Sequence, residues 1–398
     1  MTLMAPGMHE MQTWRNWMEL ALAIDPVYAF HADPNAYPPG TVSLLYVGGL
    51  VFGDADTFLA IKFLLFSSTL ATSAVIGLWL RSWVAAWATL AIMGYLSVGI
   101  GLLDVLFLLP LSVSLWALDR NRLGVASLFF ASAVLIKWQP AILLPVLLVY
   151  LVKRWAGCHS LMDRGKAVLA SLVPATLVLL VTILVFGWSY IFESVSGATQ
   201  QNMLSGNALN LNWLWSALIV GSRETWGTVH WLYTSEVPTW IVLSSRLLFF
   251  LSVAALIVLM SQLKMSFDQL LVSAMTVIVL YGLLAVGSHQ NHMILVMPVA
   301  VAVATRLPSM RYASLLAVMM PVVNVMWFYG DYGDRFTPVD LRGLDPSIPG
   351  AVLFVVASVY VLTTSVSFLM RQQTSLAGGA TGDTSNGEVG HGQDSAQR

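Results

Sequence analysis

The 398-residue sequence predicts an all-α polytopic membrane protein, and three observations predict it. The chain is 58% hydrophobic and only 10% charged, with a mean hydropathy of +0.77. A soluble protein of this length would need far more ionisable surface to cover its core. Apolar stretches of roughly the length that crosses a bilayer core, about 20 residues, follow one another along the chain. Lys and Arg collect in alternate connections between those stretches, the asymmetry that orients membrane helices. A net charge of −1 offers no basic surface for nucleic acid, and Cys158, the single cysteine, excludes an internal disulfide and a cysteine metal cluster.

Residues 1–57 are expected to form an external N-terminal arm and a re-entrant segment. They gather Glu10, Glu19, Asp25 and Asp33 with His9 and His31 in a chain where charge is scarce, which points to function; a solvated polar arm is the plain alternative. Tyr37-Pro38-Pro39-Gly40 adds a stiff bend, because proline fixes φ and bars the preceding residue from the helical region. Residues 1–37 lack the basic and apolar regions of a cleavable signal peptide. An external arm needs something to carry it across, either the first span behind it or a membrane helix upstream of Met1, and the second is the expectation.

Spans are predicted near 58–80, 84–100, 102–118, 123–137, 139–152, 167–187, 241–260, 268–286, 290–305, 310–328 and 350–370, about eleven within a bundle covering 58–370. Arg81, Arg120, Arg122, Lys153, Arg154, Arg306 and Arg371 then fall on one side, which the positive-inside bias makes cytoplasmic. Most acidic residues fall on the other. Residues 38–53 would start and finish outside, so they form a re-entrant or interfacial element; the alternative is that 41–53 crosses and a later short span does not. Residues 188–240 are a long external loop rich in Trp and Asn, suited either to stacking on sugar rings or to an interfacial aromatic belt. Residues 371–398, rich in Gly, Ser and Thr, are expected to be a disordered cytoplasmic tail.

Four polar clusters reach the outer face in this topology. The opening arm supplies carboxylates that can act as general base. Gly101-Leu102-Leu103-Asp104 places an acid between two apolar spans, as a binding group or as a plain hairpin turn. Lys137-Trp138-Gln139-Pro140 sets a lysine at an outer helix end against the inside bias, either to neutralise an anion such as phosphate or to snorkel to the interface. Gly287-Ser288-His289-Gln290-Asn291-His292 is an unbroken polar run before an apolar span, with His289 and His292 at i and i+3 on one helix face. That pair could hold a divalent metal with Glu10 or Asp33, although two histidines are a weak metal signal, and donation to a phosphate is the preferred reading. No other cofactor is called for. Together the clusters hold what is needed to move a sugar from a phosphate carrier to a hydroxyl.

The patterns Glu10-Met11-x-x-Trp14, Asp33-Pro34-x-x-Tyr37-Pro38-Pro39-Gly40, Gly101-x-x-Asp104, Lys137-Trp138-Gln139-Pro140 with Pro145, Asn207-Ala208-Leu209-Asn210 and His289-Gln290-Asn291-His292 resemble the GT-C superfamily of membrane glycosyltransferases. Within it the chain looks most similar to bacterial mannosyltransferase-like members, over roughly residues 8 to 305. The resemblance implies an inverting hexosyltransferase in a bacterial cytoplasmic membrane with its site facing the periplasm. Its expected partners are a polyprenyl-phosphate sugar donor, a lipid or glycan acceptor and membrane lipids. The family's catalytic acid, usually Asp, lies in the first external loop; here Glu10 stands there, with Asp33 as the other candidate. Lys137, His289 and His292 would bind the lipid phosphate, and Asp104, Gln139 and Asn291 would position sugar or acceptor. His9, Tyr37, Asn207 and Asn210 complete the substrate-binding set. A polytopic transporter or lipid-linked glycan flippase is the rival, but it would place charges at the membrane midplane and relate two halves of the chain.

Overall fold

The computed structural model describes residues 10–33, 37–52, 56–199, 203–206, 208–220, 231–289, 291–329 and 347–379. Three short helices open the chain: α1 (Glu10–Ala23), α2 (Pro26–Ala32) and α3 (Pro39–Phe52). The bundle follows with α4 (Thr57–Leu80), α5 (Trp83–Gly94) running into a π-turn at Tyr95–Gly99, α6 (Leu108–Asp119), α7 (Leu123–Ile136), α8 (Leu144–Ala156) and α9 (Leu161–Phe186). Next come α10 (Trp188–Thr199), β1 (Met203–Gly206), α11 (Leu211–Val220) and β2 (Trp231–Tyr233). The chain closes with α12 (Thr239–Gln262), α13 (Phe267–Leu284), β3 (Ser288–His289), α14 (Val296–Arg306), α15 (Arg311–Tyr329) and α16 (Ser347–Gly379).

The expected spans fall on helical stretches, but among the described residues helices long enough to cross number fewer than eleven, and the shorter apolar helices include Pro39–Phe52 and not the expected 102–118 span. Seven helical stretches among the described residues are long and apolar enough to cross a membrane, and four more apolar helices are shorter. The distribution of apolar residues is that of a membrane protein. Helix α13 is buried on almost every face and forms the centre with α14, flanked by α4, α5 and α6 on one side and α12, α15 and α16 on the other. Helix α9 is the reverse: it leans on α7 and turns Leu172, Leu177, Val181 and Leu184 outward, the last 82% exposed. A continuous apolar ridge of that kind is stable only against lipid or another apolar surface.

The two ends of the bundle are held by polar contacts between the same pair of segments. At one end Asn291, which precedes α14, donates to Asp104, which precedes α6. At the other, Arg306 at the end of α14 meets Asp119 at the end of α6 at 3.0 Å, and also Asp268 at the start of α13 at 2.7 Å. Trp79 Nε1 donates to the same Asp119 carboxylate. Helix α6 alone is about 18 Å long at 1.5 Å per residue, so these clamps act far apart.

The opening arm is itself helical and packed. Met11, Trp14, Trp17, Met18 and Ala21 form the buried stripe of α1, at the spacing of one helix face. Helix α3 packs against α1, α4 and α7. Its first turn meets the end of α7, where Thr41 Oγ1 donates to the Ile136 carbonyl and Gly40 lies on the Leu135 carbonyl. Its last residue is followed closely by α4, whose Lys62 donates to the carbonyls of Val98 and Gly99 just before Asp104.

Three expectations need correction. The 188–240 loop carries two helices, and β1 pairs with β2 antiparallel and with β3 in parallel, so a small three-stranded sheet is added to the all-α plan. Helix α16 runs to Gly379, because the apolar pattern of 347–370 nucleates a helix that continues into residues expected to be a disordered tail; 380–398 lie outside the described residues. His289 and His292 do not share a helix face, since His289 belongs to β3 and His292 opens a 3-10 turn.

Candidate active site

The centre of the polar end is a buried ion pair. Gly101 takes φ +91°, a left-handed conformation that glycine adopts without strain, and turns the chain from the π-turn into the 3-10 segment Leu103–Phe107. That segment carries Asp104 inward. Lys137 follows α7 in extended conformation (φ −149°, ψ 137°), so its side chain leaves the helix direction and enters the bundle. Lys137 Nζ lies 2.8 Å from Asp104 Oδ1, with Asp104 2% and Lys137 5% exposed. Asn291 Nδ2 donates to the other oxygen, Oδ2, at 2.8 Å, so both carboxylate oxygens are engaged. Such extra hydrogen bonds are what a buried pair needs to offset the loss of hydration. The Tyr37 ring completes the surround, its centroid 3.6 Å from Nζ.

The histidine pair sits beside this centre through Asn291. The backbone N–H of His289 donates to Nδ1 of His292 at 3.2 Å, and the Tyr281 hydroxyl donates to the same nitrogen at 3.1 Å. A nitrogen that accepts from an amide carries no proton, so the neutral His292 ring is protonated at Nε2. The two imidazoles are 4.9 Å apart, edge to face. Burial first, and the Lys137 ammonium second, hold His289 far below the usual histidine range, at about 4. It is therefore neutral at physiological pH.

The opening helices join the site at Tyr37. Trp14 and Trp17 pack edge-on against its ring, with centroids 5.0 and 5.6 Å away. From α10, Ser194 Oγ donates to the Tyr37 carbonyl at 2.8 Å and accepts from Trp138 Nε1 at 3.1 Å, tying Tyr37 to the neighbour of Lys137. Asp33 ends α2, half-buried, and precedes Tyr37 by four residues, a stretch that reaches at most ~14 Å. Glu10 opens α1 one turn before Trp14, about 6 Å along the helix axis. The side chain of Glu10, and His9 and Asn207 altogether, lie outside the described residues. His31 turns elsewhere: Nε2 donates to the Phe186 carbonyl at 2.7 Å and its ring stacks on Tyr190 at 3.7 Å.

Asn210 is the cap of α11, its Oδ1 accepting from the Trp213 N–H at 2.9 Å. Its Nδ2 is buried with no partner among the described residues, as are Gln139 Oε1, Ser288 Oγ and Asn291 Oδ1. Trp14 Nε1, whose ring packs against Tyr37, is a further such atom at this end, and buried polar atoms are seldom left so unless a polar ligand or water belongs there. The packing sets the segments of the other four side by side: the 139–143 turn meets the 292–295 turn, Ser288 pairs with Ser205 of β1, and Asn210 follows β1 four residues on.

Lys137 was expected to stand as a cation for phosphate, with Asp104 serving sugar or acceptor. The structure instead joins them, so the charge of Lys137 is already answered. Several contributors carried weaker signals in the sequence. Lys62 could have been found as a lysine inside an apolar span, and it is fully buried. Tyr281 and Ser194 had no signal beyond a polar atom in an apolar run. Among the described residues no three His, Cys, Asp or Glu side chains are grouped to hold a metal. No protein-family model matches the chain, and no curated protein matches it.

Proposed function

We propose that the protein is an integral-membrane glycosyltransferase of the GT-C type, acting at the periplasmic face of a bacterial cytoplasmic membrane. It moves a hexose from a polyprenyl-phosphate carrier to a lipid or glycan hydroxyl with inversion at the anomeric carbon. One observation carries the reading: Tyr37, Asp104, Lys137 and Asn291, from four distant parts of the chain, meet at one end of an apolar bundle, where Gln139, Asn210 and Ser288 carry buried polar atoms without a partner among the described residues. In the reaction the acceptor oxygen forms a bond to the anomeric carbon as the carbon–phosphate oxygen bond breaks. The carrier phosphate leaves with that electron pair, and a carboxylate takes the acceptor proton. Asp104 is unsuited to that task, because both its oxygens are engaged by Lys137 and Asn291. Glu10 and Asp33 remain the candidates for the base.

The clamps at both ends of the α6 and α14 pair favour a fixed platform over a transporter or flippase, in which one part of the bundle rocks against another. The test is transfer of label from a polyprenyl-phosphate hexose in membranes containing the full chain. Wild type is expected to transfer, and Glu10→Gln or Asp33→Asn to lower the rate by about 10²-fold or more. Undiminished transfer in the double variant would remove the base assignment. Absence of transfer with every polyprenyl-phosphate hexose tried would overturn the transferase.

A further inference from the structure

Among its described side chains the polar end offers a ligand no free cation: Lys62, the one lysine there without a carboxylate, is fully buried with its ammonium engaged by the Val98 and Gly99 carbonyls. Lys137 is neutralised by Asp104 at 2.8 Å. His292 accepts at Nδ1 and keeps one proton at Nε2, and the neutral His289 adds no charge. What the cluster offers is a set of neutral groups: the amide oxygens of Asn291 and Gln139, the amide nitrogen of Asn210 and the hydroxyl of Ser288. Asn210 and Ser288 are fully buried and Asn291 is 6% exposed. The orientation of Asn291 is fixed by its bond to Asp104, so its Oδ1 can act only as an acceptor.

That pattern selects a ligand. The phosphodiester oxygens of a carrier-linked sugar can only accept, and facing Asn291 Oδ1 and Gln139 Oε1 they would set acceptor against acceptor, with no free cation to offset the loss of hydration. A hydroxyl can donate to those two oxygens and accept from the Asn210 amide or the Ser288 hydroxyl. We propose that the cluster around Asn291, Gln139, Asn210 and Ser288 is a subsite for an uncharged polyhydroxyl ring, a hexose, and that the carrier phosphate binds outside it. The inference rests on the transferase reading only for the choice of a hexose. The charge and donor balance stands without it.

The test uses the full chain in lipid nanodiscs and saturation-transfer NMR with methyl mannoside and methyl glucoside, and separately dimethyl phosphate, a diester without an O–H, as the phosphate competitor. At least one glycoside is expected to saturate, and dimethyl phosphate to leave that signal unchanged. Gln139→Leu removes an oxygen that bonds to nothing among the described residues, so folding should survive, and it is expected to weaken glycoside binding by about 10-fold, the loss of one buried hydrogen bond. Asn291→Asp puts a second carboxylate against Asp104 and should weaken it further. Displacement by dimethyl phosphate, unchanged affinity in Gln139→Leu, or no glycoside binding to wild type would each overturn the subsite. Glycoside binding without transfer from any polyprenyl-phosphate hexose would remove the transferase and leave the subsite; transfer without glycoside binding would do the reverse.

Discussion

Removing one partner of the Asp104–Lys137 pair should be among the most damaging single changes available in this protein. Asp104→Asn keeps shape and an acceptor for Asn291, but strands an ammonium that is 5% exposed and has only the Tyr37 ring, 3.6 Å away, in its place. Lys137→Met strands a carboxylate that keeps only the Asn291 donor. Breaking a buried pair from one side costs about 3–5 kcal/mol, since an uncompensated charge remains. Replacing both, Asp104→Asn with Lys137→Met, removes both charges, keeps an acceptor for Asn291 and leaves one amide N–H without a partner, about 1–3 kcal/mol. The double variant should therefore be more stable than either single one. Arg15 supplies the contrast: its ion pairs with Asp56 at 3.5 Å and Glu19 at 3.9 Å are solvent-exposed, so Arg15→Ala should cost under about 1 kcal/mol. Unfolding free energies from detergent titration of the purified full chain measure all four variants. Additive costs for the Asp104 and Lys137 changes, or a single-site cost no larger than that of Arg15→Ala, would refute a buried, coupled pair.

Two further outcomes follow from local geometry. A Cβ on Gly40 would lie 2.8 Å from the Leu135 carbonyl carbon, which is backbone and cannot swing aside, so Gly40→Ala should destabilise by about 1–3 kcal/mol, whereas Gly94→Ala in α5 meets nothing within 4 Å and should be neutral or stabilising by helix propensity; thermal unfolding of the two variants compares them. His289 is held at about 4 when folded against 6.5 when unfolded, so between those values the unfolded chain binds more protons. The stability it contributes is complete above the unfolded value and is lost as pH falls from about 6.5 toward 4, and His289→Gln should flatten the decline of the unfolding midpoint in that window. An unchanged slope would remove His289 from the acid response.

Much of the scaffold could be read from the chain because membrane helices announce themselves one segment at a time. A run such as Leu169–Leu184 has no other stable use, and it lies within one of the seven described helical stretches long and apolar enough to cross a membrane. The site was legible as a set of residues but not as a set of relationships. Asp104, Lys137 and Asn291 each stood out as polar groups at the edges of apolar runs, yet nothing in their spacing tells that Lys137 meets Asp104 rather than a ligand. The same limit applies to Asn210, which looked like a sugar ligand and proves to cap α11 with one of its two polar atoms. The small sheet was missed because strands of four, three and two residues carry no periodicity to detect.

Composition and patterning by themselves determined that this chain is helical, built for lipid and polar at selected segment ends. Those properties depend on each residue's own hydration and on neighbours three or four places away. Only the tertiary structure decided which charges cancel and which polar atoms remain unanswered, since Asp104 and Asn291 are 187 positions apart and meet only when α6 and α14 pack. Pairing distances, unlike hydropathy, are properties of two chain segments at once, and the choice between an anion site and a neutral one turns on them.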